Sequence, residues 1–311
     1  MSLLHKSNKE QSIQSMGVIN ITPNSFSDGN QFNNHYEFKQ RFESLLNWAS
    51  IIDIGAESTA PFNDAIDIET ELGRFKDCFY PILKTMNDPA ITLSVDTYKI
   101  EVFKGVYDEV KQFWPKTQFI FNDISGSIDQ NLLNLFVDIH YEFDYVYCHN
   151  LAQNRSISSS HMDYCQDVEH SIFLRDFYSF FDLGLKKMSQ ALRDHSILNK
   201  RVYLDPCFGF SKTRDQNHYL MSRMGELSEY FSCADYIAGL VYGVSRKSFM
   251  RFPQDMNIKN DQNSSVLTNM QSILFYDLFS KIGTKHDLIF RVHDNVSLKA
   301  LENIKKIFAV S

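Results

Sequence analysis

The sequence predicts an α/β protein folded as a single-domain (β/α)8 barrel. Three observations predict it. Short apolar runs alternate eight times with longer amphipathic stretches, polar residues gather at the carboxyl end of each run, and 311 residues lies within the range of one such barrel. Eight strand–helix units in series give a parallel sheet, and eight is the number that closes it. A doubly wound open sheet would not need that count.

In chain order, residues 1–15 are polar and read as a flexible N-terminal arm, with the barrel running from 16 to 311. Strands are expected at Gly17–Ile21, Ile51–Ile54, Ile91–Val95, Gln118–Phe121, Tyr145–Cys148, Arg201–Leu204, Tyr236–Val241 and Leu288–Val292. Helical spacing is expected over Tyr36–Ser50, Glu69–Met86, Lys99–Gln112, Asp129–Tyr141, Glu169–His195, Gln216–Phe231, Gln262–Ile282 and Val296–Phe308. In Asp129–Tyr141, for instance, Leu132, Leu133, Phe136 and Ile139 fall on one helical face. The polar stretches Ala152–Gln166 and Phe252–Gln262 read as insertions in strand-to-helix loops, the first of them flexible, and no linker or repeat divides the chain.

Composition narrows the class. A hydrophobic content of 43% supports a large core, and the net charge of -7, with no long basic run, excludes nucleic acid as the main partner. The five cysteines are odd in number and scattered, as expected of reduced thiols. Residues 1–15 lack the apolar core of a signal peptide, and no run is long enough to span a bilayer, so a cytoplasmic protein is expected. The 26 Phe and 15 Tyr read as core.

The polar clusters at the strand ends are Asn20, Asp53 to Thr59, Asp96-Thr97, Asn122-Asp123, His149-Asn150, Asp205 to Phe210, Ser245 to Ser248, and Arg291 to Asp294. Strand ends meet water and are often polar, which accounts for one or two clusters but not for eight in register. In a barrel these ends share one face, so the groups converge on one cavity. Taken alone, Asp96 also fits a cap of the following helix, and Asn122 a turn.

Seven strings stand in order: Met16 to Gly29 (MGVINITPNSFSDG), Asp53 to Thr59 (DIGAEST), Ser94 to Lys99 (SVDTYK), Phe121 to Gly126 (FNDISG), Leu204 to Lys212 (LDPCFGFSK), Ser245 to Phe249 (SRKSF) and Arg291 to Asp294 (RVHD). In order and approximate spacing they resemble the dihydropteroate synthase family, pterin-binding TIM barrels, from Met16 to about Val296. The resemblance implies condensation of 7,8-dihydropterin-6-ylmethyl diphosphate with p-aminobenzoate, giving 7,8-dihydropteroate and diphosphate through a pterin methyl cation, with Mg2+ assisting. It implies a pterin subsite of Asp96, Asn122, Asp205, Lys247 and Arg291, of which Asp96, Lys247 and Asp205 act catalytically. It further implies a diphosphate subsite of Asn20, Arg291, His293 and Thr59, with Asn20 as the metal-linked ligand, and a p-aminobenzoate subsite of Thr59, Pro61, Phe210 and Ser248. A cytoplasmic homodimer sensitive to sulfonamides is the family expectation.

Departures fall at the mouth of that site. Ala60 and Phe62 stand where the family has Arg and Gly, Asn24 where it has Asp, Cys148-His149-Asn150 where it has Met-His-Met, and Cys207 and Ser211 where it has glycines. The loss of the arginine removes a bidentate anion contact. Two other readings follow from this: a pterin-binding paralogue without synthase activity, and a methyltetrahydrofolate-type methyltransferase, for which TPNSFSDG and RVHD have no evident use. His161-x-x-x-Cys165 beside Cys148-His149 fits no familiar zinc knuckle, and no neighbouring residue marks Cys207 as reactive.

Overall fold

The computed structural model describes residues 13–21, 35–58, 64–195, 201–231, 237–250, 270–272, 274–276, 278 and 286–294. Eight parallel strands close into a barrel in sequence order: β1 (Ile13–Asn20), β2 (Ile51–Gly55), β3 (Thr92–Asp96), β4 (Gln118–Asp123), β5 (Asp144–Cys148), β6 (Val202–Asp205), β7 (Ile237–Tyr242) and β8 (Asp287–Val292). The strand β1 begins earlier than expected. Ile13, Gln14 and Ser15 pair with Leu288, Ile289 and Phe290 of β8, and the Ser15 hydroxyl donates to the Trp48 carbonyl, so these polar residues belong to the sheet and not to an arm.

The helices that follow are α1 (His35–Leu46), α2 (Ile68–Cys78), α3 (Tyr80–Thr85), α4 (Ile100–Phe113), α5 (Gln130–Val137), α6 (His170–Asp194), α7 (Arg214–Ser222) and α8 (Met224–Phe231). Two expected helices each split. The break between α2 and α3 falls at the buried Phe79, just before Pro81, which suits the first turn of a new helix. The helix α5 ends at Val137, so Ile139 lies off its buried face and is 97% exposed. Residues 270–272 and 274–276 are helical before β8, while the expected helix at 296–308 lies outside the described residues. No helix among the described residues is long and apolar enough to cross a membrane.

Strand alternation sorts the core into two layers. Outward side chains such as Leu93, Phe119, Phe121, Tyr145 and Phe290 pack under the helices. Aromatic rings fill much of this outer layer, with Phe103 stacked on Phe121 at 4.6 Å and Phe136 edge-on to Tyr145 at 5.0 Å, which accounts for the Phe and Tyr content. Inward side chains, including Met16, Ile51, Ile120, Val146, Tyr203, Val241 and Ile289, fill the barrel from below. Two residues beyond Ile51, Ile120, Tyr203 and Ile289 the inner layer turns polar, at Asp53, Asn122, Asp205 and Arg291, and that is where the site begins.

The stretch after β5 is ordered. Arg155–Tyr164 forms a 3-10 segment that buries Ser158 and His161. The Arg155 guanidinium donates to Asp123 at 2.6 Å, to Asp129 at 2.9 Å, and to the carbonyls of Tyr98 and Ser127, both at 2.8 Å. A polar composition here marks a clamp between loops, not a flexible insertion.

Close packing of α6 on the barrel depends on one position. A Cβ on Gly184 would lie 2.2 Å from the Tyr147 hydroxyl, which donates to the Phe180 carbonyl. Gly184→Ala therefore destabilises the fold by about 1–3 kcal/mol through overpacking, although alanine gains about 1 kcal/mol of helix propensity. Urea unfolding checks the sign: increased stability would show that the helix has room to spare.

Candidate active site at the carboxyl rim of the barrel

Register places the site residues side by side. Asn20 pairs with Gly55, Gly55 with Asp96, Asp96 with Asn122, and, on the far side, Cys148 with Asp205. At the centre stands Arg291. Its Nε donates to Asp53 at 2.7 Å and its Nη2 to Asp96 at 2.5 Å, while Asn122 Nδ2 donates to Asp53 Oδ1 at 3.2 Å. Four strands thus contribute to one ionic network. Burial works against the Arg291 charge, but Asp53 and Asp96 hold its pKa well above the ordinary value. Burial, helped by Asp53 and Glu71, pushes Asp96 up against the pull of Arg291 and Lys247.

The plain alternatives for these residues do not hold. The N-cap of α4 is Lys99, so Asp96 caps nothing, and the Asn122 amide reaches a carboxylate across the barrel and not a turn of its own chain.

On the opposite side, Asp205 is 8% exposed and accepts from the Cys207 peptide N–H at 2.6 Å. Burial raises its pKa, opposed by that hydrogen bond and by Arg291, Lys247 and Lys212. Lys247 is pushed down by burial, and its ammonium lies 4.8 Å from the centre of the Phe210 ring. The Phe210 ring also stacks on His161 at 4.0 Å, so the residue expected to face p-aminobenzoate is backed by the clamp segment. His161 is fixed in turn: its Nδ1 accepts from the Ser211 peptide N–H at 3.2 Å, and its carbonyl accepts from the Ser211 hydroxyl at 2.9 Å. Buried Lys212 donates to the carbonyls of His149 and Cys207, both at 3.2 Å, and of Phe210 at 2.9 Å. Burial lowers its pKa to about 8.

Cys207 and Ser211 have φ of 54° and 48°. That left-handed backbone suits glycine, so the two side chains are carried there at a conformational cost of about 1–2 kcal/mol each.

The remaining expected residues lie at the rim. The Asn20 amide oxygen sits 3.3 Å from where a Cβ on Gly55 would stand, so the glycine leaves room for it to lie over β2. His293 Nδ1 is 3.2 Å from the Ser245 hydroxyl, and its pKa is lowered to about 3 by burial and by Arg291, Arg246, Lys247 and Arg41, which keeps the imidazole neutral. Arg41 of α1 donates to the carbonyls of Val18 and His293. Arg246 pairs with Asp294 at 3.7 Å. Ser248 is exposed and opens a three-residue 3-10 turn, Ser248–Met250. Thr59 and Pro61, with Ala60, Phe62 and Asn24, lie outside the described residues.

Sequence reasoning leaves several residues of this site without a role. Asp53 is fully buried in Ile51-Ile52-Asp53-Ile54, and a charge inside an apolar strand was a readable signal. Lys212 closed a quoted string without receiving a role. Arg155 and His161 gave no signal, since they sit in a polar stretch. The base of the second loop is also anchored: Lys99 pairs with Glu57 and, at 2.6 Å, with Glu71; the Tyr98 hydroxyl donates to Glu57 at 3.1 Å; and Arg74 donates to the Ala56 carbonyl at 2.5 Å.

Comparison with known proteins identifies the family. Dihydropteroate synthase of Clostridium beijerinckii is 28% identical over 262 residues, which cover 83% of this chain and 84% of that protein. The folic acid synthesis protein fol1 of Schizosaccharomyces pombe is 27% identical over 237 residues, 75% of this chain but only 29% of that longer protein. Among solved structures, dihydropteroate synthase of Xanthomonas albilineans with 4-aminobenzoic acid superposes with a TM-score of 0.69 at 22% identity, covering 96% of this chain and 94% of that one, and so shares the barrel. A sequence profile of the family described as "Pterin binding enzyme" matches residues 16–273, and the chain belongs to that family.

Proposed function

We propose that the protein is a dihydropteroate synthase, joining 7,8-dihydropterin-6-ylmethyl diphosphate to p-aminobenzoate. The observation that carries this reading is the convergence of Asp96, Asn122, Asp205, Lys247 and Arg291 on one rim. A pterin presents a row of N–H donors beside a carbonyl. Asp205, held rigid by the Cys207 N–H, accepts from the 2-amino group and ring N–H; Asn122 reads a mixed part of the same edge, and Lys247 donates to the carbonyl.

In the reaction the bond between the pterin methylene and the bridging oxygen breaks, and diphosphate leaves with the electron pair. Positive charge then spreads into the pterin, where the Asp96 carboxylate stabilises it without reorganising, being already held by Arg291. The amine nitrogen of p-aminobenzoate attacks the methylene carbon and gives up a proton, while Phe210 packs against its ring. His293, neutral, offers an N–H to the departing diphosphate, with Arg291 and Thr59 as further donors. The amide oxygen of Asn20, for which Gly55 leaves room, is a hard donor that would hold Mg2+, and the ion would supply screening of the leaving group's charge. Pro61 and Ser248 complete the aryl subsite, and the protein works as a cytoplasmic homodimer.

The primary test is diphosphate release from the pterin substrate with Mg2+, with and without p-aminobenzoate. Amine-dependent release with dihydropteroate as product is expected. Pterin binding without amine-dependent turnover would make the protein a pterin-binding paralogue, the altered second loop being the cause.

Asp96 acts as a carboxylate, and its surroundings raise its pKa to about 7. The active form is therefore lost as pH falls through neutrality, so kcat/KM should show an acidic limb near that value. A profile flat down to the ordinary carboxylate range, about 4, would remove Asp96 from this role.

Restoring the loop arginine with Ala60→Arg should lower the KM for p-aminobenzoate about tenfold, the effect of one charge-assisted contact. It should shift the sulfonamide inhibition constant in the same direction. An unchanged inhibition constant would show that residue 60 does not govern sulfonamide binding.

A further inference from the structure

The synthase reaction has no use for the two thiols that face each other beside Asp205. Cys148 ends β5, Cys207 follows β6, and both belong to the inner layer of the barrel, 1% and 5% exposed. A sulfur of each and a carboxylate oxygen of Asp205 all lie within 4.8 Å of one another, and among the described residues no other group of three His, Cys, Asp or Glu side chains converges in this way. The hydrogen bond with Cys207, and then burial, raises the pKa of the Cys148 thiol.

We propose that Cys148, Cys207 and Asp205 form a binding site for a soft divalent cation, of which Zn2+ is the fitting example. Zinc takes sulfur at about 2.3 Å and oxygen at about 2.0–2.2 Å in a tetrahedron, so the three ligand atoms need to close by only about 1 Å. Two thiolate sulfurs select a soft or borderline ion over magnesium, which keeps this site chemically separate from Asn20. The carboxylate is already oriented against the cysteines by the 2.6 Å bond from the Cys207 N–H, as an outer partner orients a metal ligand.

Exchange of two thiol protons for a divalent cation leaves the charge of the cluster unchanged. Two thiolates and one carboxylate around a divalent cation carry a net charge of about -1, and the ammonium groups of Lys212 and Lys247 both act on Cys207 and Asp205. The cation enters by displacing the two thiol protons to solvent, and no electron changes hands. The backbone at Cys207 adds a separate indication: a side chain is retained at φ 54°, where glycine would sit without strain. Three protein ligands leave a fourth position open. Because Asp205 is shared, bound metal and bound pterin exclude each other, a consequence that rests on the pterin role proposed above.

The test is Co2+ titration of the full, reduced chain under a phosphine reductant, read by the near-ultraviolet thiolate-to-cobalt charge-transfer band and reversed by Zn2+. One equivalent should give a band of two-thiolate intensity that is lost in Cys207→Gly and in Cys148→Ser and kept in Cys78→Ser and Cys165→Ser. Absence of the band, or its survival in Cys207→Gly, would overturn the site. Should those variants fail to fold, protection of Cys148 and Cys207 of the unmodified chain from alkylation by Cd2+, mapped on peptides, decides the matter: equal labelling with and without the ion overturns it. A pterin should abolish the band. A band that forms and persists with pterin bound keeps the metal site and overturns the pterin role of Asp205, whereas pterin binding without any band does the reverse.

Discussion

A guanidinium inside a barrel survives only with carboxylates around it, and the clasp of Arg291 between Asp53 and Asp96 is the interaction on which the rest of this site depends. Desolvating three charges costs several kcal/mol per ion before their attraction is counted, so the network is not there for stability alone. What it does is fix position. Arg291 on β8 reaches across β1 to strands β2 and β3, and Asp53 then holds the amide of Asn122 on β4. Removing Arg291 leaves two buried carboxylates without their cation, a change worth about 3–5 kcal/mol in comparable cases.

The other half of the rim is built without that device. Between β5 and β7 the organising cation is Lys212, whose three hydrogen bonds go to backbone carbonyls and so tie the loops after β5 and β6 to one point. The segment around Arg155 and His161 then closes over this half. Its arginine reaches the buried Asp123, which also takes the Tyr145 hydroxyl at 2.9 Å, and its histidine backs Phe210. Arg291, Asp53, Asp96 and Asn122 are thus held by ion pairs and one amide hydrogen bond, and Asp205 and Phe210 by backbone ties and ring stacking.

Most of the barrel could be read from the chain because its signals are local. An apolar run ending in a polar pair marks a strand and its carboxyl end together, and seven ordered strings fixed which ends mattered. What could not be read was long-range. That Asp53 meets Arg291 depends on register between strands 238 residues apart in sequence, which no spacing rule reports. Ile139 matched a helical face whose helix stopped at Val137, because an end is set by what the backbone does next and not by periodicity. Arg155 and His161 looked like solvated loop because burial of a polar residue is invisible until its partners are placed.

In the proposed reaction, charge balance divides the labour between the two ends of the substrate. Asp53, Asp96 and Asp205 face Arg291, Lys212 and Lys247, three formal charges of each sign, so the resting pterin subsite is close to neutral overall. A neutral pterin would enter such a set without upsetting it, and Asp96 would offset the positive charge that the proposed ionisation develops on it. From this set the diphosphate would gain only a hydrogen bond from Arg291, because the cations there are already matched. Its compensation must come from further along the rim, where Asn20 can share a divalent cation and where Arg41 and Arg246 lie near His293. The same cations hold His293 neutral, which makes it a hydrogen-bond donor that adds no fixed charge. A leaving group bound mainly by charges outside the pterin subsite can depart without dragging the cation's stabiliser with it, and that separation is what an ionising substitution requires.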